Sequence, residues 1–141
     1  MTLVVDASVA FKWFIEELQS DAALRVPALP EDLIAPDLIV VEVANALWRG
    51  VRDGRVLPVQ ATEAVTSLPR FFAELASSAS LAPRAFAIAC ELSHPVYDCL
   101  YLALAEQRDA RVVSADARLK SKVAGTEWAR RVVGLGARRL G

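Results

Sequence analysis

A chain of 141 residues with 55% hydrophobic and 23% charged residues fits one domain, residues 1–141, with a single substantial core. Its formal net charge of -1 excludes a polycation with generic affinity for nucleic acid. No uncharged apolar run approaches the roughly 18 residues of a membrane span, so a mean hydropathy of +0.34 points to a well-filled interior and an apolar surface that meets another chain.

Thr2 to Val5 reads as a short buried strand ending in an acid, Asp6. Helical periodicity follows over Ala7 to Glu16, and a second helix is expected from Asp21 to Leu29 with Ser20 as its N-cap, limited by Pro27 and Pro30. Leu33 to Ala35 suits a second strand. Pro36-Asp37 opens the clearest helix, capped by Asp37 and stopped near Asp53 by Gly54, with Leu38, Val41, Ala44, Asn45 and Trp48 on its apolar side and Glu42 at the edge of it. Val59 to Leu68 is helical, and Arg70 to Leu81 prolongs that helix before a short strand.

Pro83 suits the first turn of a helix to Leu92, and Pro95 that of a helix to Gln107. Arg111 to Ser114 reads as a buried strand, Ala115 to Val123 as a short helix, and Val132 to Leu135 as a last strand. Strands alternating with helices imply an α/β fold, a three-layer α/β/α sandwich with a mainly parallel central sheet. Ligand sites in such sheets form beyond the C-terminal strand ends, where Asp6 and Asp116 both fall.

Four acids conflict with their apolar neighbours: Asp6 after Leu3-Val4-Val5, Glu42 within Leu38 to Val43, Asp98 at helical spacing from Tyr101, Leu102 and Ala105, and Asp116 after Val112-Val113-Ser114-Ala115. An ionised carboxylate in an apolar setting is costly unless neutralised. Carboxylates and water are the ligands that Mg2+ or Mn2+ takes without needing His or Cys, so the four together suggest one divalent cation site. Taken singly, each is open to reading as a helix cap or a solvated residue, Asp116 most of all. Ser8 and Ser114 each stand two residues from an Asp, where a hydroxyl can orient a carboxylate or simply cap a helix.

His94, the single histidine, precedes Pro95 and is read as a helix-entry residue rather than a catalyst. Cys90 and Cys99 belong to no Cys-x-x-Cys or Cys/His cluster and are read as buried free thiols. The tryptophans 13, 48 and 128 are read as core or interface anchors. Asp6 and Lys12 interrupt any signal-peptide core, which makes the cytoplasm the expected location. Charge is uneven, with eight basic against two acidic residues from Arg111 onward and eight against fifteen up to Ala110. A basic edge beside an acidic site suits a phosphate-bearing ligand, though two solvated faces of opposite sign would give the same count.

The strings V-V-D-A-S-V at Val4 to Val9, P-D-L-I-V-V-E-V-A-N-A-L-W at Pro36 to Trp48, V-Y-D-C-L-Y-L-A-L-A at Val96 to Ala105 and V-V-S-A-D-A-R-L at Val112 to Leu119 together resemble the PIN-domain family, in particular the toxin ribonucleases of VapBC-type toxin–antitoxin pairs. The resemblance implies that Asp6, Glu42, Asp98 and Asp116 bind the metal, with Ser8 and Ser114 at the neighbouring hydroxyl positions; at Ser114 many relatives carry Thr. It further implies Mg2+- or Mn2+-dependent endoribonuclease activity on single-stranded or loop RNA, a small VapB-like antitoxin as partner and a homodimer, with Lys12, Arg118, Lys120 and Lys122 as candidates for contacts to the RNA backbone. Two other classes place acids similarly: a non-catalytic module whose acidic groove binds a basic partner segment, and a phosphoryl-transfer enzyme of the receiver or haloacid-dehalogenase type. Asp6-Ala7-Ser8 lacks the second Asp of the dehalogenase pattern, which disfavours the last.

Overall fold

The computed structural model describes residues 1–137, so Arg138 and Arg139 of the basic excess lie outside the described residues. Among the described residues five parallel strands form one sheet: β1 (Thr2–Val5), β2 (Asp32–Pro36), β3 (Glu74–Ala76), β4 (Arg111–Ser114) and β5 (Val132–Gly134), in the order β3-β2-β1-β4-β5. β1 is central, with Val4 opposite both Ile34 and Val112. Its Leu3-Val4-Val5 run is fully buried, as a strand covered on both faces requires.

Among the described residues seven α-helices surround the sheet: α1 (Ala7–Ala10), α2 (Ser20–Arg25), α3 (Leu38–Arg52), α4 (Pro58–Ser67), α5 (Ser78–Leu92), α6 (Val96–Arg108) and α7 (Ala117–Val123). Among the described residues no helix is long and apolar enough to cross a membrane. α6 packs across β1, β2 and β4 and is backed by α5, so every residue from Cys99 to Ala105 is buried. A helix enclosed on both sides needs no polar face, which explains the continuous apolar run. Leu102→Ala, at a fully buried position, is expected to cost about 2–5 kcal/mol in chemical denaturation.

Several expectations are corrected. The first helix stops at Ala10 and tightens into a 3-10 turn, Phe11–Trp13, which seats Trp13 against Phe71 with ring centroids 4.7 Å apart. α2 ends at Arg25, and Pro27, lacking an N–H, sits in a 3-10 turn. Ser20 is not an N-cap: it opens α2, and its hydroxyl accepts from Glu17 N–H and donates to Ile15 O. Asp37 does stand at the N-cap position of α3, but its side chain makes no capping hydrogen bond to that helix. Its carboxylate accepts from Ser78 N–H at 3.1 Å while the Ser78 hydroxyl accepts from Leu38 N–H at 3.1 Å, tying the starts of α3 and α5 together.

The buried side of α3 is Ile39, Val43 and Leu47; Val41 and Trp48 are exposed. Apolar residues on both sides of the helix made its phase ambiguous. Gly50 allows close approach there, since a Cβ would stand 2.9 Å from Ile15 Cδ1, and Gly54, at φ +74°, ends the helix in the left-handed conformation as expected. After α4 the chain makes a 3-10 turn, Leu68–Phe71, instead of prolonging the helix. α5 begins at Ser78, capped by the Ser77 hydroxyl accepting from Ser80 N–H, and Pro83 lies inside it. Cys90 is exposed, contrary to expectation, whereas Cys99 is buried.

Candidate active site

The direction of strand order reverses at β1, and the crevice beyond the C-terminal ends of β1 and β4 is where such a sheet leaves room for a ligand. Asp6 follows the last residue of β1, and its N–H donates to Val113 O at 3.0 Å, which clamps it against β4. Ser114 ends β4. Its hydroxyl and that of Ser8 both donate to Asp6 Oδ2, at 2.8 and 2.6 Å. Ser8 Oγ also accepts from Ala115 N–H at 2.9 Å, and Ser114 Oγ accepts from Asp116 N–H at 3.0 Å. The two serines therefore join the β1 and β4 ends through a buried carboxylate.

Glu42, on the second turn of α3, is held by Tyr101: the phenol, fully buried in α6, donates to Glu42 Oε1 at 2.6 Å. Asp98 sits in the first turn of α6, where the helix dipole favours its charge. It is at the rim of the apolar face rather than within it, with its side chain 24% exposed, and His94 Nε2 lies 2.6 Å from its Oδ2. Asp116 is the N-cap of α7, Oδ1 accepting from Arg118 N–H at 2.9 Å. A common pattern results. Each of the four carboxylates has one oxygen tethered by a protein donor, and its second oxygen takes no side-chain or backbone hydrogen bond among the described residues.

The acids act on one another electrostatically. Burial, opposed by the two serine hydroxyls and aided by the charges of Asp98 and Asp116, raises Asp6 from 3.8 to about 6. Burial, opposed by the Tyr101 hydrogen bond and aided by Asp6 and Asp98, raises Glu42 from 4.5 to about 7. Tyr101 is pushed well above its ordinary value by burial and by the neighbouring charges of Asp6 and Glu42, so it remains a donor. Asp6 is thus the hub, and Asp116 is absent from the charges acting on Glu42.

An oxygen-only set of carboxylates, each presenting a free oxygen, fits a hard divalent cation in donor chemistry. Among the described residues no three Asp, Glu, His or Cys side chains are close enough to make a finished cage, so the acids form a loose group of like charge. A cavity of about 400 Å3 borders the group, lined by Ser8, Phe11, Lys12, Glu42, Arg49 and Arg55 among others.

Of the expected backbone-contacting cations, Arg118, Lys120 and Lys122 are exposed on α7 beside Asp116. Lys12 is committed elsewhere, its Nζ donating to Glu17 Oε1 at 2.9 Å and to Leu18 O at 2.8 Å. Two residues of the site were given no site role from the sequence. Tyr101 lies three positions after Asp98 and was read only as packing. His94 lies four positions before it, a spacing that brings side chains together on a helix, but Pro95 directed attention to chain entry.

Comparison with known proteins adds an independent line. The PIN-domain family model matches residues 3–124. Ribonuclease VapC3 of Pyrobaculum aerophilum is 36% identical over 124 residues, covering 86% of this chain and 95% of that protein. The crystal structure of PAE2754 from Pyrobaculum aerophilum superposes with a TM-score of 0.71 at 24% identity, over 96% of this chain and 92% of the other. A toxin–antitoxin complex from Klebsiella pneumoniae gives a TM-score of 0.67 at 17% identity, over 94% of this chain and 97% of the other. At these identities the two structures attest the fold alone.

Proposed function

The chain belongs to the PIN-domain family, and from that premise we propose that it is a metal-dependent endoribonuclease acting as the toxin of a toxin–antitoxin pair. The observation that carries this reading is the set of four tethered carboxylates at the strand-end crevice, each with an oxygen to offer. Similarity to Ribonuclease VapC3 over most of both chains supports RNA as the substrate.

Asp6, Glu42, Asp98 and Asp116 would hold Mg2+ or Mn2+. The ion held by these residues would supply Lewis-acid stabilisation of phosphate charge and activation of water for hydrolysis. The protein's own contribution is positional. Ser8 and Ser114 fix the Asp6 carboxylate, Tyr101 fixes Glu42 from the core, and the α7 cations Arg118, Lys120 and Lys122 attract the phosphate chain toward an otherwise acidic surface. The adjoining cavity gives room for a nucleotide next to the scissile bond, which favours single-stranded or looped RNA, whose bases and backbone are accessible.

A small VapB-like antitoxin and a second copy of the chain complete the proposal, with cellular RNA in the cytoplasm as the target pool. The exposed apolar residues Val41, Trp48, Leu57 and Val59 on and around α3 and α4 supply surface for such contacts. Purified protein is expected to cleave single-stranded RNA with Mg2+ or Mn2+, and Asp98→Asn to lower the rate by about 100-fold or more. Equal rates for the two proteins would refute the assignment.

A further inference from the structure

We infer that His94 is a positioning residue for Asp98, a role that rests on the metal-dependent reading above and extends it to a side chain outside the carboxylate set. The backbone of His94 already accomplishes the passage from α5 to α6. Ser93 takes the left-handed conformation at φ 51°, His94 N–H donates to Ala89 O at 3.1 Å, and Pro95 is extended at the start of α6. None of these contacts uses the imidazole. Nor does helix electrostatics call for it, because a basic side chain is unfavourable at a helix N-terminus.

The imidazole is instead nearly enclosed, 11% exposed, and directed at one atom: Nε2 lies 2.6 Å from Asp98 Oδ2. An ionised carboxylate only accepts, so Nε2 carries the hydrogen. Backbone anchors on both sides of His94 give the donor a fixed origin, and the contact spans the first turn of α6, whose later residues are locked in the core.

The comparison with the other three acids sets the role. Asp6 has two hydroxyl tethers, Glu42 has a phenol and Asp116 has the N–H of its own helix turn. For Asp98 the imidazole is the tether among the described residues, and it leaves Oδ1 without a hydrogen-bond partner there. Asp98 is also partly exposed, so packing alone does not fix its rotamer as it does for buried Asp6. Holding one oxygen selects the rotamer and reduces the ordering that cation binding would otherwise require.

The test uses the full chain, Mn2+ titration by calorimetry and steady-state RNA cleavage on wild type, His94→Leu and His94→Gln, the last because a Gln amide nitrogen can occupy the place of Nε2. His94→Leu is expected to weaken Mn2+ binding by about 10–100-fold, with kcat at saturating Mn2+ changed far less than Mn2+ affinity, and His94→Gln to stay within about threefold of wild type. Thermal unfolding without metal identifies any variant that fails to fold. Should Leu do so, His94→Asn, whose amide is too short to reach Oδ2, replaces it. Unchanged affinity in Leu or Asn, or equal loss in Gln, overturns the positioning role while cleavage by wild type leaves the nuclease reading intact. A wild type that neither binds Mn2+ nor cleaves RNA overturns both.

Discussion

Asp6→Asn is expected to lower RNA cleavage by about 10^3-fold or more, corresponding to about 4 kcal/mol of lost transition-state stabilisation, and at the same time to stabilise the metal-free protein. The two effects have one origin. Asp6 is 5% exposed and sits among other acids, so its ionised form is disfavoured and its carboxyl titrates at about 6 instead of 3.8. At pH 8 the folded protein without metal carries that unfavourable charge, a cost on the order of 3 kcal/mol. Asparagine keeps the shape and an oxygen that accepts from Ser8 and Ser114, but removes the charge. Thermal unfolding in EDTA at pH 8 is therefore expected to shift upward by several degrees. A lower midpoint would show that the charge is compensated in a way the hydrogen bonds do not reveal, and retained cleavage would remove Asp6 from the catalytic set.

The pH dependence of stability in the absence of metal is expected to run opposite to that of proteins whose carboxylates are salt-bridged. Asp6 and Glu42 both titrate in the folded state above their ordinary values, at about 6 and about 7 against 3.8 and 4.5. Between the ordinary and the folded values the native state holds protons that the unfolded chain has released. Stability is greatest below the ordinary values, falls as pH rises through the folded values, and levels off above about pH 7. Divalent cation reverses the loss where the carboxylates are ionised: at a concentration of about 100 times Kd it adds about 2.7 kcal/mol. Urea denaturation at pH 5 and pH 8, each with EDTA and with Mn2+, measures all four states. The expected pattern is a metal-free protein more stable at pH 5 and a Mn2+ increment confined to pH 8; a metal-free stability that is unchanged or higher at pH 8, or no increment there, contradicts it. Asp6→Asn should flatten the EDTA profile.

The fold was legible where burial is complete. Leu3-Val4-Val5 and Val112-Val113 have no polar interruption because both faces of β1 and β4 are covered. β3 was hard to see because it is a three-residue edge strand with only partly buried residues, preceded by a turn whose Pro69 resembles a helix stop. The start of α5 was misplaced because Pro83 is a louder signal than Ser77, although the serine is what caps the helix. Lone acids in apolar frames were equally plain, since only a specific role justifies them. Their tethers differ in kind: Tyr101 reaches Glu42 across 59 positions, a tertiary event no local pattern encodes, whereas His94 was within local range of Asp98 and was masked by the proline between them.

The order β3-β2-β1-β4-β5 has a consequence in time. Asp6 and its partner Ser114 stand 108 positions apart, and β1 cannot acquire its second neighbour until β4 joins the sheet. Pairings of such long sequence separation form late and slowly. A folding chain therefore leaves one side of the central strand uncovered until β4 docks. The acidic site is thus assembled only when the two halves of the sheet meet at β1.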